Sequence, residues 1–178
     1  MNFITLTDYD NENSVTEITV KVDKETVAKA SFKEYILHSE DDVPELIAKA
    51  SKTSEDESLA VAGTLLVPKF KNEAVYPMSV IYIPTLYVYP EYRNLGVGTR
   101  IIQKILSMTT HQNKAISIYV YPHHTVEYAD GHTKRISNVE YHQVKCAMVH
   151  LLEKFNFKQI KDPYKQYQKC YFTVEGTK

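Results

Sequence analysis

The chain is expected to fold as an α/β protein, with a central sheet of about six or seven strands and helices on its faces. Three observations predict this. Between Met78 and Tyr121 a strand, a glycine-bearing loop, a helix and a second strand follow one another. Near the start, Ile18-Thr19-Val20-Lys21-Val22 alternates with period two. Toward the end, a long helical stripe runs into two short strand-like segments. A length of 178 residues, 43% apolar and 24% charged, suits a single domain spanning 1–178 with a sizeable core.

In chain order, Asp23-Lys24-Glu25 turns the first alternating strand into a second, Val27 to Leu37, with Ala28, Ala30 and Phe32 on one face. Asp42 is placed to cap a helix through Val43 to Ala50, with Pro44 tolerated in its first turn. Ser54-Glu55-Asp56-Glu57 opens a second helix toward Leu65, its acidic run reading as a charge cluster at a helix N-terminus. Met78 to Tyr89 forms the strand before the glycine loop. Pro84 within it cannot donate to a ladder, so a bulge or a break in pairing is expected there. Ala115 to Tyr121 is the next strand. Pro122 to Arg135 reads as an insertion with its own hairpin, turned at Asp130-Gly131. Ser137-Asn138-Val139-Glu140 has capping-box spacing. The helix it opens carries Val144, Met148, Leu151, Leu152 and Phe155 on one stripe, and Asn156 fits the left-handed position that ends it. Phe157 to Lys161 and Lys169 to Glu175 complete an antiparallel pair.

The net charge of −1 gives no general attraction to nucleic acid or to an acidic membrane. The N-terminus lacks a basic region followed by an apolar run, so no signal peptide is expected, and no apolar stretch is long enough to span a bilayer. Cys146 and Cys170 form no C-x-x-C and read as buried free thiols of a cytoplasmic protein.

The chemistry concentrates in Tyr89-Pro90-Glu91-Tyr92-Arg93-Asn94-Leu95-Gly96-Val97-Gly98-Thr99. A strand, a glycine loop and a helix start together build an anion site: the first helical N–H groups lack intrahelical partners and point at what lies above them. Glycines let the backbone approach a phosphate, and Arg93 adds a permanent charge with a fixed donor fork. The P-loop is excluded because Thr99-Arg100, not Lys-Ser/Thr, follows Gly98. The dinucleotide fingerprint is excluded because its third glycine is replaced by Ile101. A pyrophosphate-bearing cofactor remains the fitting ligand.

Arg93-Asn94-Leu95-Gly96-Val97-Gly98 resembles the Q/R-x-x-G-x-G/A motif of the GNAT superfamily of N-acetyltransferases, and Leu86, Val88 and Pro90 match the strand that precedes it. The similarity covers roughly residues 75 to 175 and implies a mixed, mostly antiparallel sheet with helices on both faces. It implies that Tyr87 and Val88 would bond the pantetheine arm of acetyl-CoA through their backbone, in the gap where that strand splays from the next. Arg93, Asn94, Leu95, Gly96, Val97, Gly98 and Thr99 would cradle the pyrophosphate. A neutral primary amine, whose identity the sequence does not reveal, would attack the thioester in a ternary complex, with the oxyanion held by an N–H near Val88. The family usually sets its first two helices between strands one and two, whereas here they follow the hairpin.

Another departure is chemical. Many members end the helix before the penultimate strand with Leu-Tyr-Glu-Lys-Leu-Gly-Phe, whose tyrosine protonates the departing thiolate. Here Leu151-Leu152-Glu153-Lys154-Phe155-Asn156-Phe157 puts Leu152 at that place, and leucine donates no proton. The catalytic acid and base are therefore unassigned, with His123, His124, Tyr164, Tyr167 or water open as the donor. A fold that binds acyl-CoA or a partner without transfer stays open as the alternative, and so does a homodimer. His123, His124 and His132 with Asp130 read as surface residues of the insertion or as substrate-facing ones, so no metal is expected. The fourteen tyrosines read chiefly as sheet packing.

Overall fold

The computed structural model describes residues 1–10, 13–66, 70, 74–108, 111–160 and 169–175. Strands β1 (Asn2–Asp10), β2 (Asn13–Val22) and β3 (Glu25–Leu37) form an antiparallel meander. Helices α1 (Val43–Thr53) and α2 (Glu55–Leu66) follow, then β4 (Met78–Val88), α3 (Val97–Met108) and β5 (Lys114–Tyr119). The insertion forms β6 (Thr125–Glu127) and β7 (Thr133–Arg135), and α4 (Asn138–Glu153), β8 (Lys158–Gln159) and β9 (Cys170–Glu175) close the order. The main sheet has seven strands in the order β1-β2-β3-β4-β5-β9-β8. Only β4 and β5 pair in parallel, so the sheet is mixed and mostly antiparallel, as expected.

Alternation along the central strands divides the core in two. Ile81 and Ile83 of β4, with Ile116 and Ile118 of β5, face α3 and α4. Val80 and Tyr82, with Ala115, face α1 and α2. Each of these isoleucines and Val80 contributes roughly 1.5–3 kcal/mol by leaving water, so both helical layers are held by the same two strands. The capping box forms as anticipated: Ser137 Oγ accepts the Glu140 N–H at 3.2 Å, and the Glu140 carboxylate accepts the Ser137 N–H at 2.8 Å. Asn156 has φ +60°, and the Phe157 N–H bonds back to the Leu152 carbonyl at 3.1 Å, which ends α4.

Several expectations need correction. β1 was not anticipated, and β2 begins five residues before Ile18. Asp42 begins α1, but its carboxylate turns back to accept the N–H groups of His38 and Ser39 at 2.7 and 3.0 Å rather than capping α1. Glu57 is no surface charge. It is 1% exposed and accepts from Lys33 Nζ at 2.5 Å and from the Tyr35 hydroxyl. Of the last antiparallel pair, β8 holds only Lys158 and Gln159, and Lys161 lies outside the described residues.

Cys170 is buried as read, but Cys146 is exposed on α4. Burial, with Asp56 nearby, pushes the Cys170 thiol up to about 12. A maleimide is therefore expected to modify one thiol in the native protein and both after denaturation, counted by intact mass. Rapid native modification of both would show that β9 opens.

Candidate functional site

The central feature is a gap in the sheet. Ser31 pairs with Thr85 and Lys33 with Tyr82, so Ile83 and Pro84 together stand opposite Phe32. This is the irregularity that Pro84 predicts. The parallel ladder to β5 stops at the same place, its last pair being Ile83 and Ile118. Beyond it β4 keeps its bonds to β3 and parts from β5.

Backbone direction along the free stretch follows from the ladder. The Tyr89 N–H bonds the Val27 carbonyl at 3.1 Å, so alternation directs the Tyr87 backbone toward β3 and that of Val88 toward the gap. Arg93 Nε donates to the Val88 carbonyl at 3.0 Å. The Val88 N–H is left facing the gap. Tyr87, expected to act through its backbone, borders the gap with its side chain.

After β4 a 3-10 turn, Pro90–Tyr92, uses the Arg93 N–H on the Pro90 carbonyl at 3.3 Å. Arg93 thus faces the site with its side chain rather than its amide. Asn94 at φ +63° and Gly96 at φ +76° swing the chain into α3. The two glycines serve for different reasons. A Cβ on Gly96 would meet nothing within 4 Å, so there the dihedral matters. A Cβ on Gly98 would lie 2.8 Å from Leu151 Cδ2, so there the close packing of α3 on α4 matters. The first backbone bond of this turn runs from the Arg100 N–H to the Gly96 carbonyl at 3.1 Å. The N–H groups of Val97, Gly98 and Thr99 precede it and have no intrahelical acceptor.

Gap and loop open into one cleft of 930 Å3. Its lining includes Tyr87, Val88, Arg93, Asn94, Gly96, Val97, Gly98 and Thr99. Of the residues read from the sequence as cofactor-binding, Leu95 alone stays out, 66% exposed at the loop's outer side. Val144, Met148 and Leu151 of α4 form an apolar wall that the sequence reading missed. Their stripe looks like a core stripe, and a wall facing a cleft has the same periodicity.

The cleft passes through the sheet. Val88 points at α3, its Cγ2 4.0 Å from the Cβ position of Gly98, so Tyr87 and Tyr89 lie on the opposite face. There the β6–β7 hairpin docks. The Tyr87 hydroxyl donates to the Glu127 carbonyl at 2.6 Å and accepts the Glu127 N–H at 2.7 Å. Ala129 N–H adds a bond to Glu91 at 3.2 Å. Tyr121 and His123 also border the cleft, while His124 stacks on Tyr141 with centroids 4.4 Å apart. His132 pairs with Asp130 and stacks on Tyr128. The tyrosines divide accordingly: Tyr35 and Tyr82 pack in the core, whereas Tyr87, Tyr92, Tyr119 and Tyr121 line the cleft.

Leu152 is 1% exposed, packed in the α3–α4 core and absent from the cleft lining. Tyr164 and Tyr167 lie outside the described residues. Among the described residues, no helix is long and apolar enough to cross a membrane.

Comparison with known proteins adds three findings. The model of the acetyltransferase (GNAT) family matches residues 13–129. A probable serine/threonine-protein kinase of Dictyostelium discoideum is 29% identical over 69 residues, and this chain spans 7% of that protein's length. Among solved structures, Arabidopsis thaliana NAA60 with a bisubstrate analogue is similar at 12% identity and a TM-score of 0.40, over 92% of this chain and 75% of that one. Agmatine N-acetyltransferase is similar at 12% identity and a TM-score of 0.46, over 89% and 73%.

Proposed function

The chain belongs to the GNAT acetyltransferase family, and from that premise we propose that residues 1–178 form a single domain moving the acetyl group of acetyl-CoA onto a primary amine in a ternary complex. The observation that carries the proposal is the through-sheet cleft, with the loop amides at one face and the hairpin at the other. Acetyl-CoA supplies an activated thioester. The amides of Val97, Gly98 and Thr99 hold its pyrophosphate, with Arg93, Asn94, Leu95 and Gly96 shaping the loop around it. Val144, Met148 and Leu151 cover the pantetheine arm, Tyr87 and Val88 bound its path, and the Val88 N–H faces the thioester carbonyl. The amine enters from the hairpin face. Its nitrogen bonds the acyl carbon, the C–S bond breaks, and the proton lost by the amine balances the one gained by the thiolate.

Water or a cleft side chain protonates that thiolate, because Leu152 cannot. His123 is the histidine of the earlier candidates that borders the cleft. The buried Leu152 also favours a second reading, a protein that binds acyl-CoA without transfer. The unpaired Cys146 and Cys170 suit a cytoplasmic setting.

Acetyl-CoA is expected to raise the melting temperature, as does any ligand selective for the folded state. CoA release is expected on adding primary amines. A shift without release would establish the second reading. No shift at millimolar acetyl-CoA would refute both.

A further inference from the structure

The cleft is electrically uneven. Arg93, Lys29 and Lys154 line it, and among the described lining residues Glu127 is the one carboxylate. Glu127 sits on the hairpin face, across the sheet from the loop that would take the pyrophosphate. Its main chain is fixed, because the Tyr87 hydroxyl engages both its N–H and its carbonyl at 2.7 and 2.6 Å. Its carboxylate is held much more loosely. Oε1 has the Tyr89 hydroxyl at 3.5 Å and Lys29 Nζ at 3.8 Å, and the Lys29 side chain is 52% exposed. The Lys29 ammonium lies 5.5 Å from the Tyr89 ring centroid, so a carboxylate and an aromatic face already receive a primary ammonium at this place. A half-exposed lysine can swing away and leave that position to another cation.

Resting on the acetyltransferase reading, we propose that Glu127 selects the acceptor: a primary amine that carries a second positive charge, which sits against the Glu127 carboxylate while the reacting nitrogen reaches the thioester. The Tyr87 hydroxyl acts as the positioning group, since it sets where Glu127 stands. The carboxylate forms and breaks no covalent bond. Its contribution is charge recognition, which appears in kcat/KM for acceptors that differ only at the end remote from the reacting amine.

The test uses three probes with the same five-carbon chain: 1,5-diaminopentane, pentylamine and 5-aminopentanoate. CoA release is measured with the full chain and with Glu127→Gln, Glu127→Asp and Glu127→Lys. The wild type is expected to prefer the diamine over pentylamine by up to about fivefold, as one half-exposed ion pair allows, and to use the aminopentanoate worst. Glu127→Asp should keep that order, Glu127→Gln should level it, and Glu127→Lys should invert it. The acetyl-CoA melting shift should be the same in all four, which separates charge recognition from damage to the fold. If Glu127→Lys does not fold, the Gln and Asp variants decide the question. Release without a diamine preference, or a preference that survives Glu127→Gln, overturns the role of Glu127 and leaves the transferase reading standing. A melting shift with no release from any probe overturns both.

Discussion

Gly98→Glu is expected to abolish the stabilisation by acetyl-CoA. At a ligand concentration of 100 Kd the wild type gains about 2.7 kcal/mol from binding, and the variant should gain nothing measurable. Two separate effects act at this position. The new Cβ would lie 2.8 Å from Leu151 Cδ2, and the substitution brings a negative charge to the first turn of α3. There it satisfies the helix N-terminus and repels a pyrophosphate. Gly98→Ala separates the two. Leu151 Cδ2 is the far end of a flexible side chain, so α4 can yield, and alanine brings no charge. It should retain most of the shift at a small cost in stability. Melting curves with and without acetyl-CoA read both variants. Full stabilisation of Gly98→Glu would place the cofactor away from this loop.

The loop was legible because its chemistry is local. Gly96 and Gly98 show in the sequence whether their use is a dihedral or a close approach, and only coordinates tell these apart. Pro84 announced the bulge for the same reason, since a missing N–H is a property of one residue. What stayed hidden depends on neighbours far along the chain. In β2, Thr16 is 1% exposed and Val15 is 37% exposed, so polarity there runs against burial and masks the alternation. β1 is an edge strand in which Phe3 packs on the core while its neighbour Ile4 is 45% exposed, so these two adjacent apolar residues fall on opposite faces and show no alternation. Glu57 reads as one acid in an acidic run until β3 brings Lys33 and Tyr35 against it across more than twenty residues.

The acceptor side was legible only in outline. Asp130-Gly131 predicted the hairpin, and the turn forms with Gly131 at φ +87° and its N–H on the Tyr128 carbonyl at 2.9 Å. Its docking on Tyr87 was not readable. Tyr87 and Glu127 are forty residues apart, and the contact runs through a side-chain hydroxyl and a backbone that any residue would supply. The placing of both helices after β3 was legible, and the structure keeps that order.

Leu152→Ala is expected to cost about 2–5 kcal/mol, the usual range for emptying a buried leucine site. At about 2–4 °C per kcal/mol for a chain of this size, the melting temperature should fall by roughly 4–20 °C. The size of the loss follows from position. Leu152 is 1% exposed within the core that α3 and α4 share, and its carbonyl accepts the N–H groups of Phe155 and Phe157 at 2.9 and 3.1 Å where α4 ends. The carbonyl bonds survive the substitution, so α4 should end as before and the loss should come from packing alone. Leu152→Tyr puts a ring and a hydroxyl into the same filled space, and overpacking costs typically about 1–3 kcal/mol. Its hydroxyl becomes a proton donor for the thiolate only if the core opens to let it reach the cleft. Turnover per folded molecule and the acetyl-CoA shift should therefore be unchanged in Leu152→Ala. If that variant binds acetyl-CoA normally and stays folded but loses turnover, Leu152 shapes the reacting geometry through Leu151 and Met148, its neighbours on the cleft wall, and its role is not packing alone.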